Sequence, residues 1–252
     1  QLPDNASYHR YAQLPRRAVV WNVTAAPAYS LTLKTWCFPV AGCVGYRGYF
    51  DEQDAKREAE ALRSQGLEAS VYGVPAYSTL GYLDWAGGDP LLNTFIGWPE
   101  GEFVRLLFHE LAHQVVYAQG DTLFNESFAT AVERLGTERW LATQARPEVR
   151  QAFAASEERR QSFRALTRAT RARLAEIYEQ NKAPAHDSQA LNAMKSGAMQ
   201  DFRARYAVLR ERWLAQGARV EGYDRWVAQA NNASFAAQAA YDAWVPAFEA
   251  LF

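Results

Sequence analysis

Three observations predict an α+β protein for this sequence. Its first third carries short runs of β-branched and apolar residues; a single amphipathic helical stretch interrupts them; and beyond Pro99 long helical periodicities take over and continue to the end. The expected architecture is a small mixed sheet in the N-terminal third followed by a mostly helical C-terminal part. The expected division is a strand-rich front lobe over 1–98 and a helical lobe over 99–252, built as one continuous unit with a cleft between.

Each element has its local reason. AVVWNVTAA (18–26) is apolar and β-branched and reads as a strand, SLTLKTW (30–36) alternates like a second, and VGYRGYF (44–50) reads as a third. DEQDAKREAEALRSQG (51–66) starts with acids, spaces Ala and Leu at helical intervals and stops at Gly66, so it reads as the crossover helix. LEASVYGV (67–74) is the next strand. Gly87, Gly88 and Pro90 mark 74–92 as loop-like. Helices are then expected over 101–119, 125–139, 148–180, 187–216 and 220–251, with charge runs such as EERRQSFRALTRATRAR on solvated faces.

The bulk chemistry narrows the function. A chain of 252 residues that is 49% hydrophobic is globular and large enough for a substantial core. Acids and bases nearly cancel at a net charge of -1, which excludes a nucleic-acid or anionic-membrane partner as the expectation. No apolar run approaches a transmembrane length. The two cysteines, Cys37 and Cys43, are too far apart for a redox CxxC and too few for a structural zinc site; from the residues alone, a small-loop disulfide and two buried thiols read equally well.

The chemistry concentrates in LLFHELAHQVVYAQGDTLFNESFATAVERLG, 106–136. His109 and His113 stand four apart, one turn along a single helix face, and can aim ring nitrogens at one zinc ion. Glu110 is rotated about 100° from His109 and flanks that point as a general base. Two imidazoles and a carboxylate buried in an apolar helix would be costly unpartnered, and a metal removes the conflict. A catalytic zinc takes three protein ligands. His9 and His186 read as surface residues, so Glu126 is the third candidate, brought back by a turn after Gly120 and a largely extended GDTLFN to open an antiparallel helix. Glu133, seven residues on, either orients a ligand histidine or is an ordinary surface acid.

With those residues in view, HELAHQ…NESFAT resembles the gluzincin metallopeptidases, and more closely a bacterial family of cell-envelope zinc aminopeptidases. WNVTAAP, WCFPVAGCVGYRGYF, PAYSTLGYLDW, DPLLNTF and NNASF extend that similarity over essentially the whole chain. The resemblance implies a zincin-like fold, one Zn²⁺ at His109, His113 and Glu126, Glu110 as base, and removal of N-terminal residues from a peptide substrate. It implies a periplasmic or envelope location, a lipid anchor in the full-length precursor, and a Cys37–Cys43 disulfide. Two departures bear on the surroundings of the ligands. Twelve residues separate His113 from Glu126, a shorter interval than gluzincins tend to have, and Thr130 stands where many carry an acid that supports a histidine. The residues by themselves support metal-assisted amide hydrolysis, with an endopeptidase of the same mechanism and an inactive zinc-binding scaffold as the alternatives.

A substrate backbone can be held by an exposed strand edge, and VPAYSTLGY, with Tyr77, Ser78 and Thr79, is the expected segment; a satisfied structural loop is the competing reading. Tyr223, Tyr241, Tyr117, Asn231 and Asn232 are the candidate oxyanion or substrate donors. Asp84, Asp89, Glu100 and Glu102 are candidates for holding a substrate amine.

Overall fold

The computed structural model describes residues 6–38, 42–79, 85, 87–181, 188–239 and 244–251. In chain order the strands are β1 (Tyr11–Ala12), β2 (Val20–Pro27), β3 (Trp36–Phe38), β4 (Gly42–Val44), β5 (Arg47–Tyr49), β6 (Leu67–Val74) and β7 (Leu91–Leu92). The helices are α1 (Glu52–Ser64), α2 (Glu100–Val115), α3 (Thr122–Thr143), α4 (Pro147–Gln180), α5 (Ser188–Ala215), α6 (Glu221–Gln229), α7 (Asn232–Ala239) and α8 (Val245–Glu249). The protein is α+β, with small sheets at the front and helices behind.

The expected mixed sheet resolves into three pieces. The main one is antiparallel throughout, in the order β5-β2-β6; β3 and β4 form a separate antiparallel pair, and the parallel pairing is confined to β1 with β7. The 30–36 stretch forms a strand only at its end, where Trp36 begins β3. β2 is central in its sheet, buried from Val20 to Ala26. Side chains alternate faces along a strand. On β6, Ala69 and Val71 join Trp21, Val23 and Ala25 of β2 in a core with Ala55, Ala59 and Leu62 of α1. Glu68 and Ser70 point to the opposite face, where α7 lies. Asp51 caps α1 by accepting from the Gln53 and Asp54 N–H groups at 2.8 and 3.1 Å, which fixes the start of the crossover helix.

The back of the molecule is organised around α4 and α5. Phe163, Leu174 and Ile177 pack against Phe202, Tyr206 and Trp213, joined by Val227 and Phe235 from α6 and α7. The helix expected over 220–251 is broken into α6, α7 and α8. Asn231 Oδ1 accepts from Ser234 N–H at 3.1 Å, an N-cap arrangement that starts α7 afresh.

Candidate metal centre

The centre is built by α2 and α3, which run antiparallel. α2 ends at Val115, earlier than the expected 119, and α3 begins at Thr122, so GDTLFN is not extended: its last four residues are already helical. The turn between them is short because its ends are pinned. Asp121 accepts from Phe124 N–H at 2.9 Å, and buried Asn125 both accepts from Ala118 N–H at 2.7 Å and donates to Ala118 O at 2.8 Å. Gly120, at φ +80°, takes the left-handed position of that turn. Glu126 therefore sits one turn into α3 rather than at its opening residue, and still faces α2.

His109 Nε2 lies 3.3 Å from Glu126 Oε2, and His113 Nε2 lies 3.9 Å from Glu126 Oε1. The two imidazoles meet edge to face, their centroids 5.0 Å apart. Among the described residues these three side chains form one group whose ligand atoms all fall within 4.8 Å of one another, and that group can hold a metal ion. A tetrahedral ion with bonds of about 2.0–2.2 Å sets its ligand atoms about 3.3–3.5 Å apart, so the spacings here fit with small adjustments.

The surrounding groups prepare the two histidines differently. Burial lowers His109's affinity for a proton, but hydrogen bonds to Glu126 and Glu133 outweigh it and raise its pKa to about 10. Burial, with only partial opposition from Glu126, pushes His113 down to about 4 and keeps it neutral. His113 Nδ1 is buried with no hydrogen-bond partner among the described residues. Burial pushes the Glu110 carboxyl up to about 7; His109 opposes that, while Glu126, Asp89 and Glu133 add to it.

Behind His109 stands Glu133. Its Oε2 is 2.9 Å from His109 Nδ1, and its Oε1 accepts from Arg105 Nε. Burial would raise the Glu133 pKa, but the His109 and Arg105 contacts prevail and hold it at about 2. Thr130 is buried on the same helix, but the acid that reaches a histidine comes from position 133.

The full chain, residues 1–252, matches the family described as "Putative aminopeptidase". The chain belongs to that family. No curated protein and no solved structure matches the chain.

In this aminopeptidase-family chain, the remaining candidate residues divide. Tyr77 is exposed, and Ser78 is buried beside it. Thr79 N–H donates to Asp89 Oδ2 at 2.9 Å, and Gln114 Nε2 donates to the same oxygen at 3.3 Å. The Asp89 carboxylate thus ties the 77–79 segment to the turn of α2 that carries His113. Glu110 and Glu126 help raise the Tyr77 pKa, after burial and the neighbouring Tyr117.

Asn231 and Asn232 are occupied within the fold. Asn232 Nδ2 donates to Pro27 O and Ala28 O at 3.0 and 2.9 Å, its Oδ1 accepts from Tyr178 OH at 2.8 Å, and Asn231 Nδ2 donates to Ala69 O at 3.1 Å. Tyr223 packs in the aromatic core against Phe163 and Trp213. Glu102 is held by Arg160, and Glu100 pairs with Arg146 on the surface. His9 is exposed. Asp84, His186 and Tyr241 lie outside the described residues. The Cys37 and Cys43 sulfurs are joined as a disulfide across β3 and β4, where the two residues are register partners.

Sequence reading passed over three neighbours of the site. Arg105 is one; its i, i+4 spacing to His109 was the available signal. Tyr46 and Tyr8 are the others. Burial and then Tyr77 and Glu126 raise the Tyr46 phenol, and burial and then Glu110 raise that of Tyr8. Nothing local in the sequence places either near the centre.

Proposed function

We propose that this protein is a zinc-dependent peptidase that removes N-terminal residues from peptides, with His109, His113 and Glu126 as ligands and Glu110 as general base. The convergence of two imidazoles and a carboxylate from antiparallel helices carries the reading. Their donor set, two nitrogens and one oxygen, suits zinc and leaves a coordination position for a reactant. A zinc ion held there supplies Lewis acidity that activates water and polarises a peptide carbonyl.

The chain's own residues do the rest. Glu110, one residue from His109 and tuned near neutrality by burial, accepts a proton from the attacking water and returns it to the departing amine. Glu133 accepts from His109 Nδ1–H and so fixes the tautomer that leaves the Nε2 lone pair for the metal. Tyr77, Ser78 and Thr79, tethered through Asp89 beside His113, form the wall against which a substrate backbone lies, and exposed Tyr77 and Tyr117 give its mouth an aromatic character. The α2–α3 pair beside an antiparallel sheet supports a zincin-like architecture. The Cys37–Cys43 disulfide supports an oxidising, periplasmic or envelope location. Aminopeptidase rather than endopeptidase action rests on the family membership.

The test combines metal content of protein purified without chelator with turnover of a peptide library by wild type and Glu110→Gln. Expected are one zinc per chain in both proteins, and a loss of turnover of about 10²–10⁴-fold in the variant. N-acetylated peptides should resist cleavage. Full turnover by Glu110→Gln would refute the base, and cleavage of acetylated peptides would reassign the enzyme as an endopeptidase.

A further inference from the structure

We propose that Arg105 is a positioning residue for the metal centre: by clamping Glu133 it fixes the His109 ring and thereby sets the affinity for the metal. The proposal rests on His109, His113 and Glu126 binding that metal.

Arg105 and His109 share one face of α2, a turn apart. Glu133 reaches between them from α3 and uses its two carboxylate oxygens for different donors, Oε1 for Arg105 Nε and Oε2 for His109 Nδ1 at 2.9 Å. With one oxygen alone engaged, a glutamate carboxylate turns freely about its last torsion. With both engaged it cannot turn without losing a charge-assisted hydrogen bond.

Arg105 is itself held from the far side. Its Nη1 lies 3.7 Å from Glu102 and 3.8 Å from Glu157. Glu102 in turn receives Arg160 Nη2 at 2.6 Å on both oxygens and Ser156 Oγ at 2.8 Å. The chain of contacts runs from α4 through Arg105 to the ring of His109.

Charge reinforces the geometry. Glu102, Glu133 and Glu157 set three carboxylates against the two guanidiniums of Arg105 and Arg160, all less than a third exposed. The surplus negative charge falls on the side of Glu133 that meets His109. Without Arg105 the balance becomes three to one, and nothing printed by the fold then holds Glu133 Oε1 toward α2.

The clamp is also reachable. Arg105 and Glu133 form part of the wall of an open cleft of about 820 Å³, together with Arg134, Phe153, Glu157 and Val245. A small solute entering that cleft can occupy the space left by a truncated Arg105 side chain.

The experiment measures zinc affinity by chelator competition in wild type and Arg105→Ala, each alone, with millimolar guanidinium, and with millimolar urea as the neutral analogue of the same shape. The variant should bind zinc about tenfold more weakly, at the low end of what losing support for a ligand histidine costs. Guanidinium should recover most of that loss and urea none of it. A folded Arg105→Ala that binds zinc as tightly as wild type, or equal responses to guanidinium and urea, overturns the proposal. Should Arg105→Ala fail to fold, Arg105→Lys carries the test, because it keeps the charge and the stem but not the planar fork. A severalfold loss of affinity in that variant supports the clamp, and wild-type affinity overturns it. A wild-type protein that binds no zinc takes down the metal reading together with this one, an outcome distinct from equal binding by both proteins.

Discussion

Gly136→Ala tests whether the closeness of α2 and α3 is what sets the metal geometry. A Cβ added at Gly136 would lie 2.7, 2.8 and 2.9 Å from three ring carbons of Phe108, the residue before His109. Carbon atoms in ordinary contact stand about 3.5–4.0 Å apart. One of the three clashing atoms is Cγ, close to the Phe108 backbone, so a swing of the ring does not relieve the overlap. The helices must part by roughly 1 Å. That shift takes the His109–Glu133 contact from 2.9 Å out of hydrogen-bond range and widens the 3.3 Å spacing between His109 and Glu126. Overpacking costs about 1–3 kcal/mol, and the better helix propensity of alanine returns about 1 kcal/mol, leaving a net destabilisation of about 0–2 kcal/mol. Zinc affinity should fall by about ten- to a hundredfold, more than the stability change suggests. Urea denaturation of the metal-free protein and chelator competition read the two quantities separately, and adding Phe108→Ala should recover metal affinity. A Gly136→Ala protein about 1 kcal/mol more stable than wild type with unchanged zinc binding would show that helix propensity governs this position and that the close approach does not.

Three further outcomes are expected. In the metal-free protein His109 holds a proton up to about pH 10 while His113 is already neutral, so metal binding displaces one proton and zinc affinity should rise about tenfold per unit between pH 6 and 8; a flat profile in chelator competition refutes this. The same raised His109 pKa contributes stability that is complete below its unfolded value near 6.5 and is lost as pH climbs through about 10, whereas the lowered Glu133 pKa contributes stability present above 4.5 and lost as pH falls toward 2, so denaturant midpoints of the metal-free protein should decline at both extremes. Asn232→Ala leaves Tyr178 OH and the Pro27 and Ala28 carbonyls without their partner and should destabilise the fold by about 2–4 kcal/mol, with kcat/KM unchanged in the folded fraction; a selective loss of kcat would return Asn232 to the substrate site. Reduction of the exposed Cys37–Cys43 disulfide closes off only a short loop and should cost at most about 2 kcal/mol in thermal unfolding, without changing zinc content.

Much of this architecture was legible because its signals are local. The strand at Leu67–Val74 and the helix from Glu52 carry their own start and stop chemistry, and the structure follows both to within a few residues. The pairing of His109 with His113 needed only helix periodicity, and Glu126 needed only the reach of a short connection. What was not legible depends on where one element meets another. SLTLKTW alternates like a strand, yet backbone pairing begins only at Trp36. NNAS looked like donors in a helix, but buried asparagines cannot be assigned until their partners are known, and here those are the backbone of β2 and β6 and the Tyr178 hydroxyl. Arg105 read as one more helix charge, because the acid it meets is decided by the register of α3 against α2.

The six residues from 116 to 121 that join the metal-bearing helices have a consequence for how the centre can vary. Every ligand, the base and the clamp behind His109 lie on one helical hairpin, so the loop that must close to gather them is small and the entropy lost in closing it is modest. Lengthening the front sheet or the crossing between α4 and α5 leaves that hairpin's internal register untouched. Inserting or deleting a single residue between Val115 and Thr122 rotates α3 by about 100° and turns Glu126 and Glu133 away together.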